Sequence, residues 1–181
     1  MSGLEAGASV LVVVDLQEKL VPAIDDNTSV TDRAAVLLKA ASIVSVPVVF
    51  TEHFPAKIGP TLPALAGLAP GATVFHKEHF DACDEPGFAN IIGGIGRRQV
   101  IVCGTEAHIC VLQTAIGLND LGYETYCVDD ATGSRKARDQ RAGLNRLTLE
   151  GIMPVTSEMV VFEWARRGGT DTFKALHGLI K

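Results

Sequence analysis

Three residue types that together could carry out nucleophilic catalysis follow three separate apolar runs of the chain. Asp15 ends SVLVVVD, Lys77 ends ATVFHK, and Cys110 comes soon after QVIVCG, within VCGTEAHICV. The reactive form of a thiol is the thiolate, which a nearby ammonium and a helix N-terminus both favour. A carboxylate can accept the thiol proton, and N–H groups at the helix start can stabilise an oxyanion. The pattern predicts a hydrolytic site with Asp15 as base, Lys77 as charge partner and Cys110 as nucleophile.

Each of these residues also has a structural interpretation. An Asp at the end of a strand is a common helix N-cap, and Lys77 could be an exposed charge. Cysteine is among the residue types most often buried in cores, and Cys103 and Cys127 are interpreted in this way because they lie inside apolar runs. Spacing alone leaves both interpretations of Cys110 open.

Composition restricts the class of protein. The chain has 181 residues, of which 47% are apolar and 20% charged, so we predict one compact domain over 1–181. A net charge of −5 with scattered basic residues indicates neither a nucleic-acid partner nor an anionic membrane. The longest apolar run, VLVVV at 10–14, is too short to span a bilayer, and no basic segment precedes it. Four cysteines without a CxxC pair indicate free thiols and a cytoplasmic location.

Short β-branched runs alternate with segments of helical periodicity. Several runs are apolar at consecutive positions, which is typical of strands buried on both faces of a parallel sheet. Strands are predicted at 9–15, 46–51, 72–77, 99–104, 124–130 and 152–157, and helices at 28–45, 109–122, 136–151 and 158–180. The stretch 52–71, rich in Pro and Gly, is predicted to be an irregular loop beside the site. The alternation predicts a doubly wound α/β layer fold.

Candidate pocket residues follow from the general position of ligands in such folds. Ligands bind beyond the carboxyl ends of the strands, where polar and aromatic side chains follow several of the predicted strands. The candidates for a small-molecule substrate pocket are Gln17, His53, Phe54, Phe80, Ala107 and His108. Phe54, Phe80 and Phe88 would make this pocket partly apolar, although ordinary packing explains each of them equally well.

The motifs VVVDLQ, FHKEHFDA and VCGTEAHICV, in this order, resemble the isochorismatase-like cysteine hydrolase superfamily. The similarity runs from about residue 9 to the C-terminal helices, and GTEAHICVLQTAIGLNDLGYETYCVDDATGSR is most similar to the poorly characterised isochorismatase-domain-containing branch. The resemblance implies a three-layer α/β/α, Rossmann-like fold with a six-stranded, mainly parallel sheet. It also implies assembly as a homo-oligomer.

The resemblance further implies a role for each site residue. Asp15 would be the general base, Lys77 would lower the pKa of the thiol and orient the site, and Cys110 would be the nucleophile. Members of the superfamily have a non-proline cis peptide before the cysteine, which here would join Thr105 and Glu106. The N–H groups of Glu106 and Cys110 would then form an oxyanion hole.

The sequence departs from the metal-binding members of the superfamily. Nicotinamidases have an Asp-x-His…His metal site after the second strand, whereas TEHFPAKIGP supplies only His53 there. We therefore expect His53 to line the pocket and expect neither a metal nor another cofactor. His108 stands where many amidase members have the Asp of Asp-x-Cys, and would either change pocket polarity or cap the helix. The glycines of IIGGIGRR (91–98) precede a strand, so they do not form a dinucleotide fingerprint.

These observations support three functions to different degrees. The first is a metal-independent cysteine hydrolase that cleaves a small amide or related C–N bond through a thioester on Cys110. The second is vinyl-ether hydrolysis of an isochorismate-like substrate, for which a cysteine nucleophile is dispensable. The third is a non-catalytic, oligomeric scaffold or interaction protein whose contacts involve the segment 158–181.

Overall fold

The apolar runs form one sheet in which every adjacent pair of strands is parallel. The computed structural model of the protein describes residues 3–181. Its strands are β1 (Ser9–Val14), β2 (Val48–His53), β3 (Thr73–Lys77), β4 (Gln99–Thr105), β5 (Glu124–Gly133) and β6 (Met153–Val155). Their order is β3-β2-β1-β4-β5-β6, so the predicted six-stranded sheet is confirmed.

Helices cover both faces of this sheet, as the predicted three-layer fold requires. They are α1 (Asn27–Val44), α2 (Pro55–Ile58), α3 (Pro63–Ala66), α4 (Phe88–Ile95), α5 (Cys110–Asp120), α6 (Ala137–Leu149), α7 (Ser157–Ala165) and α8 (Asp171–His177). Among the residues that the structure describes, no helix is both long and apolar enough to cross a bilayer.

The consecutive apolar residues of β1 belong alternately to two separate hydrophobic cores. Leu11 and Val13 belong to the core that includes residues of α1, α7 and α8. Val10, Val12 and Val14 belong to the core that includes residues of α4, α5 and α6. Because successive side chains of a strand point to opposite faces, a strand covered on both sides must be apolar at every position.

The observed elements differ from the predicted ones at β6, in the loop 52–71 and at α4. Strand β6 is shorter than predicted, because Thr156 accepts a hydrogen bond from the Met159 N–H and caps α7 there. The loop 52–71 contains the short helices α2 and α3. The sequence did not predict α4, which has only eight residues and includes Gly93 and Gly94, both poor helix formers.

Candidate active site

Asp15 lies where β1 ends, with its side chain fully buried. The carboxylate accepts hydrogen bonds from the Thr51 hydroxyl at 2.7 Å and from the Lys77 ammonium at 2.8 Å. Its backbone N–H donates to the Thr51 carbonyl, and its carbonyl accepts from the Thr105 hydroxyl at 2.8 Å. Asp15 is therefore fixed by its two neighbouring strands, and its carboxylate is bound by an ammonium and a hydroxyl instead of capping a helix.

The Lys77 side chain extends from the end of β3 to the Asp15 carboxylate, although β2 lies between β3 and β1. Its side chain has no exposed surface, and its Nζ donates to Asp15 Oδ2 at 2.8 Å and to the His79 carbonyl at 3.2 Å. The interpretation of Lys77 as an exposed charge is wrong. A buried ammonium requires an opposite charge and acceptors close by, and both are present here.

Cys110 approaches Asp15 from the opposite side, because β4 is the other neighbour of β1. Gly104 has a φ of 122°, and a Cβ at that position would lie 2.0 Å from the Val14 carbonyl oxygen. Only glycine permits this close approach of β4 to β1. The Thr105–Glu106 peptide bond that follows is cis, and Cys110 is the first residue of α5.

The structure brings Asp15, Lys77 and Cys110 together in one buried cluster. The Cys110 thiol lies close enough to the Asp15 carboxylate and the Lys77 ammonium for both to act on its pKa, and only 6% of the residue is exposed. A thiol beside a buried carboxylate–ammonium pair can pass its proton from sulfur to oxygen without bulk water. This arrangement can carry out general-base-assisted attack by sulfur.

The expectation that the site lowers the pKa of Cys110 is wrong for the structure as it stands. Burial raises the pKa of the thiol to about 12, and the Asp15 carboxylate adds to this effect. The Lys77 ammonium acts in the opposite direction but does not outweigh them. Cys110 is thus a neutral thiol at pH 7, so any attack by its sulfur requires the transfer of this proton to a base.

We expect Cys110 to react slowly with methyl methanethiosulfonate near neutral pH. Because only the thiolate reacts, the rate should rise about tenfold per pH unit between pH 7 and 9. Intact-protein mass spectrometry with peptide mapping would measure this rate at Cys110, with free cysteine as the reference thiol. A rate that reaches a plateau below pH 8 would show that the thiolate forms in the resting site.

Two backbone amides near the thiol are free to donate hydrogen bonds. Within residues 3–181, neither the Glu106 N–H nor the Cys110 N–H donates a hydrogen bond to a protein acceptor. The turn that presents them is tied to β5, because the Ala107 N–H donates to the Gly133 carbonyl at 2.8 Å. The Glu106 carboxylate also accepts from the Arg135 backbone N–H and side chain, at 3.2 and 2.9 Å. Fixed donors of this kind are what an oxyanion hole requires.

Three of the six predicted pocket residues form a cluster beside Lys77. The His53 ring stacks on Phe80 at a centroid distance of 5.2 Å and meets Phe54 edge-on at 4.8 Å. Half of the Phe80 side chain is exposed, so this cluster reaches the surface. A groove of about 350 Å³ lies next to it, lined by Phe54, Pro55, Ala56, His76, Lys77, Glu78 and Glu85.

The other three predicted pocket residues have structural contacts. Gln17 is fully buried, and its amide bonds the backbone of His53 and Gly59, so the prediction that it lines the pocket is wrong. Ala107 is also fully buried, because α6 packs closely against its carbonyl at Gly143. His108 directs Nδ1 to the Ser134 hydroxyl at 2.9 Å, which links the turn to the end of β5.

The histidines near the site do not form a metal-binding group in the described part of the chain. No cluster of three or more His, Cys, Asp or Glu side chains with suitable geometry occurs among residues 3–181. His76 instead pairs with Glu52 at 3.2 Å, and His79 pairs with Glu85 at 2.8 Å.

Sequence reasoning missed the residues that hold the catalytic candidates in place. Thr51 and Thr105 each bond Asp15, and Arg135 binds the turn before Cys110 through Glu106. Thr51 stands at a predicted strand end, which is the one local signal that could have indicated its position. The ion pair between Glu106 and Arg135 joins residues from two different turns, so no local pattern reveals it.

Comparisons with known proteins agree with this architecture. A family model described as "Isochorismatase domain" matches residues 9–159. Isochorismatase domain-containing protein 2 from Danio rerio is 34% identical over 177 residues, covering 98% of this chain and 89% of that protein.

Two solved structures show the same fold. One, described as MAR1 ribonuclease from Caenorhabditis elegans, has a TM-score of 0.92 and 30% identity, and covers 99% of this chain and 92% of its own. The YcaC gene product from Escherichia coli, described as an octameric hydrolase of unknown specificity, has a TM-score of 0.94 and 22% identity. Its match covers 99% of this chain and 90% of its own.

Proposed function

Because the chain belongs to the isochorismatase family, we propose that it is a metal-independent cysteine hydrolase that cleaves a small amide or a related C–N bond. Family membership supports hydrolase chemistry in general. The observation that carries the finer proposal is that the buried Cys110 thiol lies beside the buried ion pair of Asp15 and Lys77, close enough for both charges to act on its pKa. This cluster has a nucleophile, a base and a fixed positive charge at the carboxyl edge of a parallel sheet, where ligands bind in such folds.

Acylation begins with the neutral thiol. As Cys110 Sγ attacks the amide carbon, its proton passes to the Asp15 carboxylate, and the carbonyl oxygen gains negative charge. The N–H groups of Glu106 and Cys110 stabilise this oxyanion. When the C–N bond breaks, the nitrogen takes the proton from Asp15 and leaves as ammonia or an amine, which leaves a thioester on Cys110.

Hydrolysis of the thioester uses the same base. Asp15 accepts a proton from water as its oxygen attacks the thioester carbon. The C–S bond then breaks, sulfur takes the proton back from Asp15, and the carboxylic acid is released. Throughout both steps the Lys77 ammonium orients the Asp15 carboxylate and offsets negative charge on sulfur.

Incubation with a panel of small amides tests this proposal. We expect the wild-type protein to release the acid from at least one amide, and we expect acid treatment during turnover to trap a thioester on the Cys110 peptide. Mass spectrometry would detect both species. Cys110→Ala should lose all turnover and Cys83→Ala should retain it, since the Cys83 sulfur lies near the Thr114 carbonyl.

The same experiment separates the alternatives. Full activity of Cys110→Ala on an isochorismate-like vinyl ether would favour that chemistry, and no turnover of any substrate would favour a scaffold. Activity that survives exhaustive chelation supports the metal-independent mechanism. Activity that is lost on chelation and restored by zinc would overturn it.

We also propose that nucleic acid is not the substrate, although one structural relative is described as a ribonuclease. The net charge of −5 disfavours a polyanion, and two acidic residues, Glu78 and Glu85, line the groove beside the site. A labelled single-stranded RNA should therefore remain intact under the conditions of the amide assay.

Exposed apolar side chains and the state of the cysteines support proposals about the oligomeric state and the cellular location of the protein. We propose a homo-oligomer, because Met159 and Phe162 of α7 are both more than 40% exposed and lie on one short helix. The octameric relative supports this proposal. We propose a cytoplasmic location because all four cysteines are free thiols.

A further inference from the structure

His53 is held more rigidly than a residue that merely fills space. Its backbone N–H donates to the Gln17 side-chain oxygen at 2.8 Å, and its carbonyl accepts from the Gln17 side-chain nitrogen at 3.0 Å. The same nitrogen donates to the Gly59 carbonyl at 2.6 Å. The fully buried amide of Gln17 thus fixes the backbone of His53 at the end of β2.

Two aromatic rings fix the orientation of the imidazole. Phe80 stacks on it with an interplanar angle of 29°, and Phe54 meets it at 83°. Phe54 is itself anchored, because its N–H donates to the Lys77 carbonyl at 3.0 Å. The ring is therefore constrained by its neighbours on more than one side, and its nitrogens have defined directions.

One of these nitrogens has no partner. Nδ1 of His53 is buried and makes no hydrogen bond within residues 3–181. A buried polar group without a partner is destabilising, so native structures rarely retain one without a functional or ligand-related reason. The rigid setting of the ring means that Nδ1 cannot turn away to find a partner in the protein.

The charge state of the ring determines what Nδ1 can bind. Burial lowers the pKa of His53, and the nearby Lys77 ammonium lowers it further, against weaker effects of Asp15 and the His79 carbonyl. The ring is therefore neutral at pH 7, with one N–H and one lone pair. Because Nδ1 has no hydrogen-bond partner within residues 3–181 and the His79 carbonyl acts on the ring, we assign the N–H to Nε2. This tautomer leaves Nδ1 as an acceptor, in a ring close enough to Lys77 and Asp15 for their charges to act on its pKa.

We propose that Nδ1 of His53 accepts a hydrogen bond from the N–H of a substrate amide that lies against Phe54 and Phe80. This inference rests on the proposed function and restricts its substrate class. Primary and secondary amides carry the required donor, whereas tertiary amides and esters do not. His53 is accordingly a specificity-determining residue, separate from the chemistry at Cys110.

Labelling of Cys110 with matched acrylamides tests the proposal. Acrylamide and N,N-dimethylacrylamide both add the Cys110 sulfur to their β-carbon, with the thiol proton transferred to the α-carbon, but only acrylamide has amide N–H groups. The measured quantity is the ratio of the two second-order rate constants, divided by the same ratio for glutathione. We expect the wild-type protein to prefer acrylamide about three- to tenfold, as one hydrogen bond to a neutral acceptor provides.

Variants at position 53 should separate the hydrogen bond from the packing. His53→Phe keeps an aromatic ring for Phe54 and Phe80 but should lose the preference for acrylamide. His53→Asn, whose side-chain oxygen lies near the Nδ1 position, should restore most of it, and His53→Gln, which extends toward the Nε2 position, should not. His177→Phe, on α8, is the control and should behave as wild type. Circular dichroism and thermal unfolding would verify folding of each variant.

Each outcome bears on the proposal. A preference for acrylamide that survives in His53→Phe would overturn it, as would a wild-type protein without any preference. The labelling requires no turnover. A failure of the proposed hydrolase function would therefore appear only in the amide panel, and a failure of the role of His53 only in the labelling ratio.

Discussion

Asp15→Asn is expected to lower amide hydrolysis by about 10²–10⁴-fold and at the same time to make Cys110 more reactive toward methyl methanethiosulfonate. Hydrolysis falls because the amide of Asn cannot accept the thiol proton. Labelling rises because the negative charge that raises the pKa of Cys110 is removed, while the Lys77 ammonium remains. We expect the labelling rate at pH 7 to increase about tenfold or more. Product formation and mass-spectrometric labelling on the same preparation would measure the two effects.

The opposite directions of these effects distinguish a base from a structural residue. An unfolded or disordered site would lose hydrolysis and would also expose Cys83, Cys103 and Cys127, which are otherwise partly or fully buried. Labelling confined to Cys110 excludes that explanation. Asp129→Asn is the matched control, because Asp129 is an exposed carboxylate on β5. Slower labelling of Cys110 in Asp15→Asn would contradict the assignment of Asp15 as the group that suppresses ionisation of the thiol.

Lys77→Met is expected to reduce the free energy of unfolding by about 3–5 kcal/mol, because it leaves the Asp15 carboxylate buried without its counter-charge. Both side chains have no exposed surface, so water cannot replace the lost ammonium. Chemical denaturation monitored by circular dichroism would measure the change. A matched control is Lys174→Met, which breaks the exposed pair with Asp171 and should shift the denaturation midpoint far less.

The double variant Asp15→Asn/Lys77→Met tests the cause of this destabilisation. Removal of both charges should recover much of the stability lost in Lys77→Met, since no unpaired charge remains buried. Additive losses in the double variant would show that the two residues stabilise the fold independently. In that case the ion pair would not explain the burial of Lys77.

The neutral state of Cys110 has a consequence for how the site is used. A pre-formed thiolate would react with any electrophile that reached it, whereas a thiol that gives up its proton only to Asp15 reacts when a carbonyl lies correctly beside it. In the proposed mechanism, burial of the thiol and the carboxylate would thus couple deprotonation to substrate binding. The free N–H groups of Glu106 and Cys110 would supply part of that coupling, because they stabilise charge only once the attack has begun.

The sequence by itself determined the strands, most of the helices and the edge of the sheet where the site lies. These features leave local signals, because a strand buried on both faces must be apolar at consecutive positions and parallel strands place their carboxyl ends together. For the same reason Asp15, Lys77 and Cys110 could be chosen as candidates from their positions after three such strands. The family resemblance then supplied their proposed roles and the position of the cis peptide.

Only the tertiary structure decided which side chains lie next to each other and which of them carry a proton. The strand order places β2 between Asp15 and Lys77, so their contact depends on non-local pairing that no short segment encodes. The pKa of Cys110 is the balance of burial against two opposite charges, and this balance depends on distances in space. Likewise, Gln17 was predicted to face the substrate, but its side-chain amide donates to the carbonyls of His53 and Gly59 and accepts from the His53 N–H. Residue types indicated the available chemistry, and packing determined the charge and direction of each group.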